Sequence, residues 1–259
     1  MFARIQRCGV NSRQLGASRT FSSSASLLSK PEEGKSVRAY RYAIDTHGQL
    51  FLHDTVPKNL TSCFKNPEFL NFFFTRIRQN DSEAAKIEDL AELDEEWTET
   101  CNFSADQVLQ IGRAQGYHWL SPCQGEYNLI RSADSPIVFR ELSEDGILTW
   151  AGTLETEFDP SALKVDAETG YVYHPSPFPP LTSLQKKVTK DYHPYGAYSL
   201  LSSALVLQRL ASGLDIDPDS FADHQGGSIE WKGKRYTMGI VQDGIDVLRN
   251  RRHRVDDRA

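Results

Sequence analysis

Several groupings of side chains in this sequence could do chemistry. Cys123 follows Pro122, with Glu126, Asn128 and Arg131 just after it. A thiol becomes a nucleophile when a base or a nearby cation lowers its pKa, and Arg131 could supply the cation. No His adjoins Cys123 in sequence, so a buried structural thiol is the plainer reading. His53 adjoins Asp54, a pairing that suits acid–base work. Neighbours on a strand face opposite ways, however, which favours a surface pair. Tyr173-His174-Pro175 recurs as Tyr192-His193-Pro194 at a spacing of 19 residues. Two imidazoles on proline-stiffened loops could begin a metal site with Asp191, but no further Cys or His completes one, so no metal is expected. Lys58 and Asn59 precede an apolar, helix-patterned stretch and Arg76 and Arg78 follow it. Together with Arg131 they could bind an anion through charge-assisted hydrogen bonds. The sequence has no Walker A loop, no G-x-G-x-x-G, no H-E-x-x-H and no G-x-S-x-G, so no cofactor is expected.

The elements that must position these groups are readable in part. Tyr40, Tyr42 and Ile44 alternate with polar neighbours, the turn Asp45-Thr46-His47-Gly48 follows, and then Leu50-Phe51-Leu52, a β-hairpin pattern. Asn66-Pro67-Glu68 opens a helix with Phe69, Leu70, Phe72, Phe73 and Ile77 on its core face. Arg76 and Arg78 are expected to end it, where cations suit the helix dipole. Ser104 is expected to cap a helix over 106–114 that Gly116 stops. Strands are expected at 118–120, 127–131, 137–140, 147–151, 154–158 and 171–172, with 132–136 as a turn between the second and third. The proline segment 175–180 reads as extended surface chain. A helix is expected over 198–211 from its i, i+3, i+4, i+7 spacing, then a hairpin around Lys232-Gly233-Lys234 and a short helix over 241–248. The absence of regular βα alternation points to α+β architecture with antiparallel sheet. The expected division is a first domain over 37–140, with an acidic insertion at about 81–104, and a second over 141–248.

Charge is unevenly placed along the 259 residues, whose net charge is −6. Residues 1–31 carry Arg4, Arg7, Arg13, Arg19 and Lys30, are rich in Ser and contain no acid. That is the pattern of a mitochondrial transit peptide, and Arg19-Thr20-Phe21-Ser22 fits a matrix processing site with cleavage after Phe21. A flexible leader is expected over 22–36. Residues 81–100 hold nine acids against Lys86 alone, and a basic tail follows 249. Overall acidity makes a nucleic-acid coat unlike this chain, and no apolar run reaches the roughly 18 to 20 residues of a membrane span. Cys8, Cys63, Cys101 and Cys123 show no C-x-x-C spacing, so a disulfide framework is not expected.

Three blocks carry a resemblance. They are Tyr42-Ala43-Ile44-Asp45 with Gly48-Gln49-Leu50-Phe51-Leu52; Lys58-Asn59 with Cys63-Phe64-Lys65 and Phe69-Leu70; and Leu120-Ser121-Pro122-Cys123 with Glu126, Asn128, Arg131, Asp134 and Pro136. Tyr173-His174-Pro175 adds a shorter match. These resemble an uncharacterised family of eukaryotic mitochondrial proteins that includes a human chromosome-8 open-reading-frame product. The chain departs from that pattern at 81–116. The order of elements is also similar to a bacterial family of unknown function. That likeness implies two small α+β domains, the second similar to pleckstrin-homology folds, with a ligand site between them.

The resulting expectation is a mitochondrial matrix protein of two mixed domains. It would act as a binding or adaptor module for an anionic small molecule or a mitochondrial protein partner, with Lys58, Asn128, Arg131 and His174 as ligand groups. The alternative is a small hydrolase or transferase using Cys123 or His174.

Overall fold

Alternation of aromatic and polar residues makes the first strand. In the computed structural model, β1 (Ala39–Ile44) pairs antiparallel with β2 (Leu50–Leu52) across the turn at Asp45. Asp45 Oδ1 accepts the backbone N–H groups of His47 and Gln49, closing that turn. The structure describes residues 37–83, 103–178, 194–216, 221, 225–243 and 246–247. The segments expected as transit peptide and leader, the acidic stretch from 84 to 102, His193 and the tail from 249 lie outside the described residues.

Three sheets are present among the described residues. The first has the order β2-β1-β5-β4-β3, with β3 (Arg78–Gln79), β4 (Trp119–Cys123) and β5 (Glu126–Ser132). Here β1 and β5 run parallel and the other pairs antiparallel. The second joins β6 (Val138–Phe139), β10 (Lys164–Val165), β11 (Val172–Pro175), β12 (Tyr198–Leu201), β13 (Leu214–Asp215), β14 (Gln225–Trp231) and β15 (Lys234–Ile240). Its order is β13-β14-β15-β10-β11-β12-β6. The third is a meander of β7 (Glu141–Leu142), β8 (Ile147–Trp150) and β9 (Leu154–Glu157). The fold is mixed α+β, mostly antiparallel, with parallel pairs at β1–β5, β10–β15 and β12–β6.

Helices cover both faces of the first sheet. Helix α1 (Pro67–Phe74) starts where Asn66 accepts the Phe69 N–H, and packs Phe73 against Tyr42 with ring centroids 5.0 Å apart. Helix α2 (Ala105–Ala114) has a full capping box between Ser104 and Gln107. Its Val108 joins Ala39, Leu120 and Leu129 in a second cluster on the opposite face of the sheet. The largest cluster runs from Tyr42 and Phe73 through Phe139 and Trp150 to Ile229 and Met238.

Four expectations need correction. Helix α1 ends at Phe74, so Arg76 lies beyond it and Arg78 sits in β3. Residues 198–211 are not one helix. Tyr198–Leu201 is a strand between β11 and β6, with Ser199, Leu200 and Leu201 all buried. Ser202 then caps a helical segment, α3, composed of Ser203–Leu205, a π-helical turn Val206–Leu210 and a tight turn Ala211–Gly213. A short apolar run buried on both sides cannot be told from a helix by periodicity alone, which is why the pattern misled. At 241–248 the described residues form a bridge between Asp243 and Val247 rather than a helix. Within the proline segment, Pro175 ends β11 and Ser176 is buried against Ser199, its hydroxyl 2.8 Å from that of Ser199, so its start is core and not surface.

Candidate functional site

Strand alternation and register bring two arginines to one face. In the parallel β1–β5 ladder Arg41 stands opposite Leu129 and Ala43 opposite Arg131. Odd-numbered residues therefore face α2, and Tyr40, Tyr42, Asn128 and Ile130 face α1. Beyond β2, the His53 N–H donates to the Arg41 carbonyl at 2.9 Å, which sets the imidazole beside both arginines. Helix α2 ends above them. Gly116 takes φ +88°, and the Tyr117 N–H returns to the Gly112 carbonyl, dropping the phenol onto the sheet. The Tyr117 ring lies 5.5 Å from His53 and 5.3 Å from the Arg131 guanidinium carbon.

Cations outnumber carboxylates among the charges that act on His53. Arg131 Nη2 donates to the Gln115 carbonyl at the C-terminal end of α2. Arg41 pairs with Asp54 at 3.1 Å, and Asp54 is largely exposed. Burial pushes the His53 imidazole below its ordinary pKa, and Arg131, Arg41 and Lys58 push it further down against the opposing pull of Asp54. His53 is therefore neutral near pH 7, among three cations and one carboxylate. Burial raises the Tyr117 phenol, with Arg41 and Arg131 acting against it. Three of the buried polar atoms without a hydrogen-bond partner belong to these residues: His53 Nδ1, Arg131 Nε and Gln115 Oε1. Buried polar atoms without partners are uncommon and costly. Rotating the Gln115 amide would present an N–H instead of an oxygen.

The four expected ligand groups do not converge. Lys58 and Arg131 both act on His53. Asn128 points to the other face, buried, donating to the Ser121 carbonyl at 2.7 Å. His174 belongs to the second sheet. It is buried between Phe158 and Phe139, accepts the Asp159 N–H at Nε2 (2.9 Å) and has Nδ1 2.8 Å from the Pro175 carbonyl. Burial pushes its pKa down to about 4, opposed by the Pro175 hydrogen bond and by Asp159. Both ring nitrogens are occupied, so His174 is a neutral structural group.

The remaining chemical groupings resolve in the same way. Cys123 is half-buried, and burial raises its thiol pKa against the opposing effect of its contacts with Ser121 and Asn128. Ser121 Oγ is 3.5 Å away, and neither Ser121 nor Asn128 is a base. Neither Cys123 nor His174 is thus arranged as a nucleophile or general base. Asn59 organises its own loop: its Oδ1 accepts from Thr61 and Ser62. Arg76 stacks 3.5 Å over Phe72 and donates through Nη1 to the Phe72 carbonyl at 3.0 Å. Among the described residues, no three His, Cys, Asp or Glu side chains are grouped to hold a metal ion. No helix among them is long and apolar enough to cross a membrane.

Sequence reasoning missed Arg41, Gln115 and Tyr117. Arg41 was legible as the outward member of the β1 alternation, but its partner on β5 depended on a parallel register that the sequence does not show.

The family described as a domain of unknown function, DUF4505, matches residues 30–89 and 103–240. All the residues of this pocket fall within that match, and the break at 90–102 falls inside the acidic stretch. A solved structure of a DUF1285 family protein from Silicibacter pomeroyi DSS-3 is similar at 12% identity. The likeness covers 83% of this chain and 92% of that one, with a TM-score of 0.35.

Proposed function

Since the chain belongs to the DUF4505 family, a domain of unknown function, we propose from its own geometry that it binds a small anion. The site is the pocket of Arg41, His53, Lys58, Tyr117 and Arg131. One observation carries the reading: Arg41 and Arg131 share a sheet face beside His53, and with Lys58 they set three cations against the one carboxylate of Asp54. A bound phosphate or carboxylate would pair with that excess of positive charge. The protein works as a binding module, and no reaction is assigned to it.

The place of action is the mitochondrial matrix. The support is the acid-free opening of residues 1–31, with Arg19-Thr20-Phe21-Ser22 as the processing site. Expression with a C-terminal fluorescent tag, followed by N-terminal sequencing, should give import and a mature start at Ser22. A cytosolic signal with Met1 retained would refute this.

Anion binding is tested by thermal shift of the full chain with inorganic phosphate, sulfate and citrate at matched ionic strength. At one hundred times its dissociation constant, an anion that binds the native state adds about 2.7 kcal/mol of stability. Chloride at equal ionic strength gives the baseline, and a shift no larger than chloride's would refute the reading.

A further inference from the structure

A cleft lies at the turn end of the β1–β2 hairpin. It encloses about 440 Å³, within the range of ligand sites. Its apolar lining is Leu60, Phe64, Pro67 and Leu70, and its polar lining includes His47 and the cations Lys65 and Arg140. No Asp or Glu lines it.

The walls are fixed in place. The Phe64 N–H donates to the Leu50 carbonyl at 2.9 Å, tying the 57–66 loop to β2. Asn71 on α1 accepts the Gly152 and Thr153 N–H groups at 3.0 Å each, clamping the β8–β9 turn against the helix. Arg140 donates through Nη2 to the Ala151 and Gly152 carbonyls, which holds its guanidinium still. Its Nε is buried and has no hydrogen-bond partner. The nearest acid to His47 is Asp45 at 3.5 Å, and Asp45 is already engaged by two backbone N–H groups.

We propose that this cleft binds a small organic acid: a carboxylate head among His47, Lys65 and Arg140, with an apolar body against Phe64 and Leu70. Lining of this kind rewards both parts of such a molecule, burying apolar area while pairing one charge with a preset donor. Neither an alcohol of the same body nor a bare inorganic anion satisfies both.

Cys63 lines the cleft, half-buried, with its thiol 3.4 Å from the Leu60 carbonyl, and it reports occupancy. The experiment labels the full-length chain with a neutral maleimide and follows Cys63 and Cys123 by peptide mass spectrometry. Probes are phenylacetate, benzyl alcohol and inorganic phosphate. Phenylacetate at twice its dissociation constant should slow Cys63 labelling about threefold and leave Cys123 unchanged. Lys65→Glu should abolish the protection without altering the melting temperature, because Lys65 is exposed. Lys58→Glu, which weakens the first pocket, should leave it intact, so the two sites fail independently. Absence of protection at millimolar phenylacetate overturns the proposal. Equal protection by benzyl alcohol or by phosphate overturns it as well.

Discussion

Ala43 on β1 stands across from Arg131 on β5 in parallel register, and that pairing decides which charges meet. It puts Arg131 on the face of Arg41 and His53, and Asn128 on the opposite face. A shift of one residue would exchange the two sets.

Lys58 is exposed and acts on His53 only through its charge. Lys58→Glu should weaken phosphate binding about tenfold, near 1.4 kcal/mol, with no loss of stability. Isothermal titration at low salt checks this, and the difference should shrink as salt rises.

Arg131 serves both the pocket and the end of α2, where it donates to the Gln115 carbonyl. Arg131→Met keeps the stem and removes the donor and the charge. It should cost about 1–2 kcal/mol in urea unfolding and abolish phosphate binding. Stability unchanged in this variant would remove the capping role.

His174 makes stability depend on pH with a defined sign. Its folded pKa, about 4, lies below the ordinary His value. As pH falls from about 6.5 to 4 the unfolded chain takes up a proton that the folded chain refuses, so stability drops by about 3 kcal/mol at most. His53 is shifted in the same direction and adds to the loss. His174→Phe should be less stable at pH 7, since the Asp159 N–H loses its acceptor, yet its further loss towards pH 4 should be smaller. Denaturant midpoints at pH 7, 6, 5 and 4 give the comparison.

Gly152 packs tightly on the start of α1; a Cβ there would lie 2.4 Å from the Pro67 carbonyl oxygen. Gly152→Ala should therefore destabilise by about 2–3 kcal/mol. Asn71→Ala removes the acceptor of two backbone N–H groups and should cost about 1–2 kcal/mol. Both variants should loosen the Cys63 cleft, read as faster maleimide labelling.

Local signals in the sequence were sound where one residue type has one use. Asn66-Pro67, Ser104 and the Asp45–Gly48 turn all did what their chemistry dictates. What escaped was long-range. The sequence pattern cannot show that β12 is buried between β11 and β6, or that β1 runs parallel with β5. The proposed anion site depends on that second pairing, which sets Arg41 and His53 beside Arg131 and which no local pattern in the sequence shows. His174 and Asn128 looked like ligand groups because their residue types bind ligands. Their hydrogen bonds are spent inside the fold.

The titration of His53 tests anion binding most directly, followed by long-range proton–nitrogen NMR of the imidazole with and without sulfate. Without sulfate its pKa should lie below the ordinary 6.5, held there by burial and by Arg131. Sulfate in the pocket offsets the neighbouring cations, so the pKa should rise, with His174 unmoved as the internal reference. Arg131→Met should abolish the rise. An identical His53 titration in the presence and absence of sulfate would contradict the account.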